Sequence, residues 1–147
     1  MTVSKLTAPL VAQAARLTGA LFPHENWSQQ DLHAAITDEN RTFFVATVQG
    51  RLAGCAGLQQ VGEQGDVLTV GVDPAYRRQG IGAALLDALV QEFKARGGRE
   101  LFLEVRAGNV PARALYEQKG FVAISQRKNY YRAPVEDAII YRYEVQL

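Results

Sequence analysis

A chain of 147 residues with 48% hydrophobic residues can bury a large core without disulfide or metal support, so we predict one domain spanning residues 1–147. Sixteen basic and fifteen acidic residues give a formal net charge of +1, which argues against a protein that coats nucleic acid or an anionic membrane. One cysteine, Cys55, excludes an internal disulfide, and no stretch reaches the roughly 20 apolar residues of a membrane span. We therefore expect a cytoplasmic monomer or weak dimer that binds neither nucleic acid nor membrane.

The first half of the chain predicts a short strand, two helices and then three strands. Thr7 is placed to cap a helix with Pro9 in its first turn, and Ser28 to cap a second helix that ends near Asn40. The stretches "RTFFVATV", "LAGCAGLQQV" and "DVLTVGV" then read as strands separated by turns at 49–51 and 62–65. Cys55 falls on the middle strand, where we predict a small core residue.

The second half predicts helices that alternate with strands. Apolar residues recur every four positions from Ile81 to Phe93, which is typical of an amphipathic helix, and Gly97 and Gly98 end it. The buried strand "ELFLEVR" precedes a short helix capped by Asn109, and "FVAISQRKNYY" and "EDAIIYRYEVQL" form two final strands. The order β-α-α-β-β-β-α-β-α-β-β predicts an α/β fold, a mixed sheet with helices on both faces.

The stretch "VDPAYRRQGIG" (72–82) places Arg77 and Arg78 just before a helix, where the helix dipole disfavours cations. The free N–H groups of a helix N-terminus suit a phosphate, and Gly80 and Gly82 let the backbone approach it closely. The arginines would then be charge-assisted partners of that phosphate. From this stretch alone, a phosphate site and a solvated charge pair on an ordinary turn both remain open.

The sequence of this stretch does not match either of two familiar phosphate-binding loops. The Walker loop requires Lys-Ser/Thr after its last glycine, whereas Ala83 and Ala84 follow Gly82. The dinucleotide fingerprint requires Gly or Ala where Leu85 stands, although Glu104 lies near the place of a ribose-binding acid. A nucleotide-binding oxidoreductase therefore remains a disfavoured alternative.

Read together, "VDPAYRRQGIGAALL" and "LEVRAGNVPARALYEQKGF" resemble the GCN5-related N-acetyltransferase (GNAT) superfamily, with Arg77, Gly80 and Gly82 in its Arg/Gln-x-x-Gly-x-Gly/Ala motif. With the tail "RKNYYRAPVEDAIIY", they are similar to bacterial ribosomal-protein-alanine N-acetyltransferases of the RimI type. The resemblance implies acetyl-coenzyme A as cosubstrate. It also implies a mostly antiparallel sheet of about seven strands, in which "DVLTVGV" and "ELFLEVR" splay apart around the thioester arm. We predict no metal, because His24 and His33 have no second ligand at metal spacing.

The resemblance also implies which residues hold the cofactor. Backbone groups of a strand pair with the pantetheine, loop amides hold the pyrophosphate, and Asn109 lies near the thioester. The predicted cofactor-binding residues are Val70, Gly71, Val72, Arg77, Arg78, Gln79, Gly80, Ile81, Gly82, Ala83 and Asn109. Gly71 also suits a β-bulge or close ligand approach, and tight packing is the alternative for it.

Acetyl transfer to an amine needs a neutral nitrogen, and an α-amino group with a pKa of roughly 7.7 to 8.0 is partly protonated at pH 7. By resemblance, Glu104 is the proton acceptor, acting through a water; an ion pair with Arg106 or an exposed strand end is the alternative. Tyr116 lies two helical turns beyond Asn109 and is predicted to protonate the leaving thiolate, with core packing as the alternative. The backbone N–H of Val72 or of its neighbour in the strand would stabilise the oxyanion.

These predictions give the hypothesis of an Nα-acetyltransferase that acts on a protein N-terminus, in particular the N-terminal alanine of a small-subunit ribosomal protein, by direct transfer. One alternative is a GNAT enzyme that acts on lysine side chains or a small-molecule amine. Another, of a different class, is a catalytically silent acyl-coenzyme A-binding module. Tyr130, Tyr131, Glu136 and Asp137 are candidates to line the acceptor groove beside the short loop 132–135.

Overall fold

The computed structural model describes residues 1–25 and 27–146, and within them the chain forms seven strands and four α-helices in the predicted order. The strands are β1 (Thr2–Lys5), β2 (Arg41–Val48), β3 (Arg51–Val61), β4 (Gln64–Val72), β5 (Glu100–Arg106), β6 (Val122–Tyr131) and β7 (Glu136–Glu144). The helices are α1 (Val11–Leu21), α2 (Gln29–Thr37), α3 (Ile81–Ala95) and α4 (Val110–Gln118). No helix of these ranges is long and apolar enough to cross a membrane.

The strands form one sheet in the order β1-β2-β3-β4-β5-β7-β6. Every neighbouring pair is antiparallel except β4 and β5, which are parallel. Successive strand residues face opposite sides of a sheet, and Cys55 of β3 packs with residues of α1 and α2, whereas Ala56 packs with residues of α3. The predicted mixed, mostly antiparallel sheet with helices on both faces is therefore confirmed.

The parallel pair β4 and β5 separates soon after it forms. Its ladder joins only Gln64–Asp66 to Glu100–Phe102, although β4 continues to Val72 and β5 to Arg106. The facing edges beyond the ladder keep N–H and C=O groups that no strand of this pair satisfies. The predicted splay is thus confirmed, and it opens a gap in the middle of the sheet.

Three helix starts were predicted from the capping residues Thr7, Ser28 and Asn109, and the prediction at Thr7 is wrong. Ser28 caps α2 as expected: its Oγ accepts from the Asp31 N–H, and its own N–H donates to the Asp31 carboxylate, both at 3.1 Å. Thr7 makes no side-chain cap, because a short 3-10 helix follows it and α1 begins only at Val11. The Leu10 N–H, the donor such a cap would use, is taken by the Thr7 carbonyl at 3.0 Å.

The β-bulge considered at Gly71 lies elsewhere in β4. The register with β3 shifts at Leu68, so the extra residue is three positions earlier. A Cβ on Gly71 would lie 2.8 Å from Leu21 Cδ1 and 3.0 Å from Phe22 Cε2. Tight packing therefore explains the glycine on this face, because it admits the end of α1 close to the sheet.

Candidate active site

The start of α3 presents unsatisfied backbone donors. Gly80 is its N-cap, in the left-handed region at φ +77°, and no side chain caps the helix. The first helical hydrogen bond runs from the Ala84 N–H to the Gly80 carbonyl at 3.0 Å, so the amides of residues 81–83 have no helical acceptor. Arg78 also has a positive φ of 65°, which is uncommon outside glycine and turns the chain into the helix.

The two arginines of this loop, Arg77 and Arg78, are exposed cations. Arg77, Arg78 and Gln79 are exposed, and within the described ranges neither arginine forms an ion pair. Free amides and free cations at a helix N-terminus together fit a phosphate group. This geometry favours the phosphate interpretation of the loop over that of an ordinary turn.

The loop lies at the open end of the gap between β4 and β5. A Cβ on Gly82 would lie 3.6 Å from Val72 Cγ2 and 3.4 Å from Leu115 Cδ2, so the first turn of α3 packs against the end of β4. Val70 and Val72 direct their side chains into the core beneath α3, which leaves their backbone edge toward the gap. A pantetheine arm that leaves the loop can therefore follow β4 into the gap.

Helix α4 brings two predicted site residues to the other side of the gap. Asn109 caps this helix as expected, with its Oδ1 accepting from the Ala112 N–H at 3.3 Å. Tyr116 is 8% exposed, and its ring lies 6.0 Å from that of Phe121 and 6.1 Å from that of Tyr141. Tyr116 therefore does pack in the core, which was the alternative to its role as proton donor.

The environment of Tyr116 nevertheless keeps its hydroxyl protonated. Burial, reinforced by the charge of Glu25, raises the pKa of Tyr116 to about 12. Tyr116 belongs to the core on the α3 side of the sheet, whereas Glu25 lies in the segment that follows α1 on the opposite side. The two side chains therefore influence each other across the gap.

A cavity of about 990 Å³ opens on the α1 side of the gap. Its walls are residues 21–25 after α1, residues 66–68 of β4, the β5 residues 102–104 and Arg106, and parts of the hairpin formed by β6 and β7. Tyr130 and Tyr131 lie on the hairpin wall, as predicted, with ring centres 5.1 Å apart. The loop of residues 77–80 before α3 and this cavity therefore lie on different sides of the gap.

Glu104 lies on this cavity, two residues beyond Phe102, the last residue of β5 that pairs with β4. Its side chain is 39% exposed, and its ion pair is with Arg127 of β6, at 3.9 Å. The alternative partner suggested by the sequence, Arg106, binds Glu136 instead, at 3.2 Å. The Glu104 carboxylate therefore faces the cavity with a long contact to Arg127, and its hydrogen bonding and charge help to raise the pKa of the neighbouring Tyr130 hydroxyl.

Two further carboxylates on the cavity were missed from the sequence. Partial removal from water raises the pKa of Glu25, and the nearby Thr69 hydroxyl partly offsets this rise. Burial and the charge of Glu104 raise the pKa of Asp66. Neither residue belongs to a motif, and the only sequence signal was a charged residue beside a helix end or a strand start. The three carboxylates share the cavity with Arg106 and Arg127, and they offer acceptor oxygens to an ammonium group.

Glu136 and Asp137 do not line the cavity, contrary to expectation. Glu136 binds Arg106, and Asp137 accepts from Gln126 Nε2 at 2.6 Å and from the Asn129 N–H at 2.9 Å. These two hydrogen bonds lower the pKa of Asp137 and hold the irregular part of β6. Both acids are anchors of the hairpin, because their partners lie within it or at its base.

Cys55 is a core residue, as predicted. It is fully buried, and burial raises the pKa of its thiol to about 12, so the nucleophilic thiolate is scarce at neutral pH. Within residues 1–25 and 27–146, no group of three His, Cys, Asp or Glu side chains is arranged to hold a metal ion.

Comparisons with known proteins agree with this geometry. The sequence model of the Acetyltransferase (GNAT) family matches residues 11–121. The "[Ribosomal protein bS18]-alanine N-acetyltransferase" of Escherichia coli strain K12 is 42% identical over 116 residues, 78% of each chain. The "N-alpha-acetyltransferase RimI" of Mycobacterium tuberculosis is 35% identical over 147 residues, 97% of this chain and 91% of its own. The crystal structure of the Escherichia coli ribosomal-protein-S18-alanine N-acetyltransferase matches with a TM-score of 0.87 and 35% identity, covering 99% of this chain and 94% of that one.

The chain therefore belongs to the GNAT acetyltransferase family, and it is an acetyl-coenzyme A-dependent N-acetyltransferase. The resemblance seen in the two sequence segments is confirmed. A nucleotide-binding oxidoreductase is excluded, because a dinucleotide fold requires a parallel sheet and this sheet has one parallel pair.

Proposed function

We propose that this enzyme, as a single domain spanning residues 1–147, acetylates the α-amine of a protein N-terminus, specifically the N-terminal alanine of a ribosomal protein similar to S18. The observation that carries the proposal is the cavity lined by Glu25, Asp66 and Glu104, which faces the gap from the side opposite α3. A peptide α-ammonium is attracted by these carboxylates and arrives at the gap. The names of the Escherichia coli and Mycobacterium tuberculosis relatives support the choice of acceptor.

The two substrates would meet in the gap between β4 and β5. The amides and side chains of residues 77–83 bind the pyrophosphate, and the backbone of residues 70–72 pairs with the pantetheine. Asn109 contacts the cofactor near the thioester from its place at the start of α4. Because Cys55 is buried and its thiol protonated, transfer is direct within a ternary complex.

The chemistry assigns one proton transfer to each side of the gap. Glu104 accepts a proton from the acceptor ammonium through a water, and the neutral nitrogen attacks the thioester carbonyl carbon. The amide of Val72 or its neighbour stabilises the oxyanion. As the carbon–sulfur bond breaks, Tyr116 donates its proton to the sulfur. The second proton of the attacking nitrogen passes through solvent to the Tyr116 oxygen, and Glu104 releases its proton to solvent, so that both groups are ready for the next turnover. The products are the acetylated amine and coenzyme A thiol.

The main alternative is an acceptor of another kind, because an open acidic cavity also attracts lysine side chains and small amines. The test offers three acceptors at equal concentration with acetyl-coenzyme A. These are an alanine-starting peptide, the same peptide with a blocked N-terminus and one lysine, and a small polyamine. Release of coenzyme A gives kcat/KM for each. We expect the free α-amine to be preferred at least about tenfold; equal or greater kcat/KM for another acceptor would overturn the proposal.

We further propose that the enzyme works in the cytoplasm, where ribosomal proteins and acetyl-coenzyme A are both present, as a monomer or weak dimer. A formal net charge of +1 gives the chain little overall attraction to nucleic acid, so we expect no direct nucleic-acid binding. Light scattering at several protein concentrations measures the mass in solution, and a mass of three or more chains would contradict this assignment.

A further inference from the structure

Arg106, the last residue of β5, fixes the loop that joins β6 to β7. Its Nη1 donates to the Pro134 carbonyl at 3.0 Å and to Glu136 Oε1 at 3.2 Å, and its Nη2 donates to the Arg132 carbonyl at 3.0 Å. Its guanidinium carbon also lies 4.5 Å from the ring centre of Tyr131, within cation–π distance. One side chain therefore holds this wall of the cavity in place.

Glu136 is the charged partner in this arrangement, and it links the loop to the turn before α4. The side chains of Arg106 and Glu136 are 30% and 26% exposed, so the pair is partly shielded from water. Glu136 Oε2 also accepts from the Gly108 N–H, at 2.6 Å. A Cβ on Gly108 would lie 2.7 Å from that same oxygen, so glycine permits the close approach. The carboxylate thus bridges Arg106 and the residue next to Asn109.

Arg106 and Glu104 lie on the same face of β5. They are two residues apart, which places their Cα atoms about 6 to 7 Å apart along the strand. An arginine side chain spans that distance, and a carboxylate this close is an ordinary ion-pair partner for it. The guanidinium nevertheless turns to Glu136 and the loop carbonyls, which leaves Glu104 with the longer contact to Arg127.

We propose that Glu136 is a positioning residue that holds Arg106 on the acceptor loop and away from Glu104, so that the Glu104 carboxylate stays available as the proton acceptor. The inference rests on the proposed function, because that function gives Glu104 its role. A cation beside a carboxylate stabilises the ionised form and makes it a weaker base. Loss of Glu136 therefore has two consequences: it loosens the acceptor loop, and it frees Arg106 to pair with Glu104.

Other charged and titratable groups face Glu104 from every wall of the cavity, and the test leaves them unchanged. They are His24 and Glu25 after α1, Asp66 of β4, and Arg127, Tyr130 and Tyr131 of β6. The response to a change at Glu136 can therefore be assigned to Arg106 only if removal of Arg106 reverses it. This requirement sets the design of the experiment.

The experiment compares the wild type, Glu136→Gln and the double variant Arg106→Gln/Glu136→Gln. The matched control is Glu144→Gln, which removes a carboxylate of the same strand from its 3.0 Å ion pair with Arg142. Steady-state kinetics with an alanine-starting peptide give kcat and KM for both substrates, and kcat is measured against pH at saturation. Thermal melting verifies that each variant is folded, and Glu136→Asp, which keeps the charge, serves as a rescue variant.

Glu136→Gln is expected to raise KM for the acceptor about 3- to 10-fold, as for the loss of one or two hydrogen bonds. KM for acetyl-coenzyme A should change less than about twofold, because the phosphate loop is untouched. The acid limb of the kcat profile should move about one pH unit lower, with a lower plateau. In the double variant the limb should return to its wild-type position while the acceptor KM stays raised, and Glu136→Asp should respond less than Glu136→Gln.

A Glu136→Gln enzyme whose profile and acceptor KM match those of Glu144→Gln would overturn the inference. The same shift in single and double variants would do so too, because Arg106 would then not be its cause. Failure of the proposed function has different signatures: equal or greater kcat/KM for another acceptor overturns the choice of acceptor, and a Glu104→Gln enzyme with an unchanged pH profile overturns the base role of Glu104. A normal response at Glu104 with none at Glu136 contradicts this inference alone.

Discussion

Asp66 and Phe102 are the last residues at which β4 and β5 pair, and the gap begins directly beyond them. Glu104 lies two residues after Phe102 on the wall of the acceptor cavity, and Asp66 lies on the same cavity. On the β4 side, the free strand edge leads to Val72 and the start of α3. In the proposed function, the point where the two strands separate therefore sets the positions of both substrates.

Asp66 is expected to cost stability at neutral pH. Burial and the charge of Glu104 raise its pKa above the ordinary value of 3.8, so the folded state holds the proton more tightly than the unfolded state. The favourable contribution of Asp66 to stability is therefore present below about pH 3.8, the ordinary pKa of the group. It is lost as the pH rises through the higher pKa of the folded state. Asp66→Asn should therefore raise Tm at pH 7 by about 1 to 2 °C, a small effect because the side chain is exposed.

Thermal melts of Asp66→Asn and the wild type at pH 7 and near pH 3 test the direction of this change in Tm. The two proteins should melt alike at the lower pH, where the wild-type carboxyl is protonated. Asp87→Asn is the control, since it removes a surface carboxylate that pairs with Lys119 at 3.1 Å and should not raise Tm. A fall in Tm at pH 7, or the same change at both pH values, would contradict the account.

Glu104→Gln keeps the size of the side chain and removes the proton acceptor. We expect kcat at neutral pH to fall about 10²- to 10⁴-fold, the usual contribution of a general base. Activity should recover as the pH rises, because the acceptor amine then loses its proton unaided. The measurement is kcat/KM against pH, with Glu100→Gln at the start of the same strand as control. A variant with the wild-type profile would remove Glu104 from this role.

Tyr116→Phe keeps the ring contacts with Phe121 and Tyr141 and removes only the hydroxyl. The affinity for acetyl-coenzyme A should stay within about twofold, while kcat falls about 10²-fold because the thiolate leaves without a proton. Calorimetry and steady-state kinetics separate the two quantities. Tyr143→Phe, whose ring lies 5.4 Å from Phe121, is the matched control. Wild-type turnover in the Tyr116 variant would leave this tyrosine a purely structural residue.

Arg77→Gln and Arg78→Gln test the phosphate loop. Each should weaken acetyl-coenzyme A binding about 3- to 10-fold, since both arginines are exposed and salt screens their contacts. The effect should shrink as ionic strength rises, and KM for the acceptor should not change. Arg99→Gln, an exposed arginine beyond the other end of α3, is the control. Equal weakening in that control would point to general charge instead of a defined site.

Much of the fold could be predicted because its signals are local. The capping pair Ser28 and Asp31 lies within one helical turn, and the apolar repeat from Ile81 to Phe93 lies within one helix. Strand register was not predictable in the same way, because it depends on the partner strand. The bulge at Leu68 and the packing of Gly71 against α1 are therefore properties of the folded chain.

The same distinction between local signals and contacts made by the fold applies to the candidate site. Arg77 and Glu104 could be named as candidates because they belong to contiguous motifs. Glu25 and Asp66 were missed, since only the fold carries them from separate elements to one cavity. The sequence suggested Glu104, on the same strand, as a possible ion-pair partner of Arg106, but in the structure Arg106 pairs with Glu136. Arg106 pairs there because the β6–β7 hairpin brings three hydrogen-bond acceptors together around its guanidinium group.

The central claim is that the acceptor is an N-terminal α-amine. One peptide that starts with alanine and carries an internal lysine offers both kinds of amine at equal concentration. After incubation with the enzyme and acetyl-coenzyme A, intact mass counts the acetyl groups, and fragmentation mass spectrometry locates them. The account predicts a single acetyl group on the alanine nitrogen, formed by the wild type and strongly reduced with Glu104→Gln. An acetyl group on the lysine with a free N-terminus would contradict it.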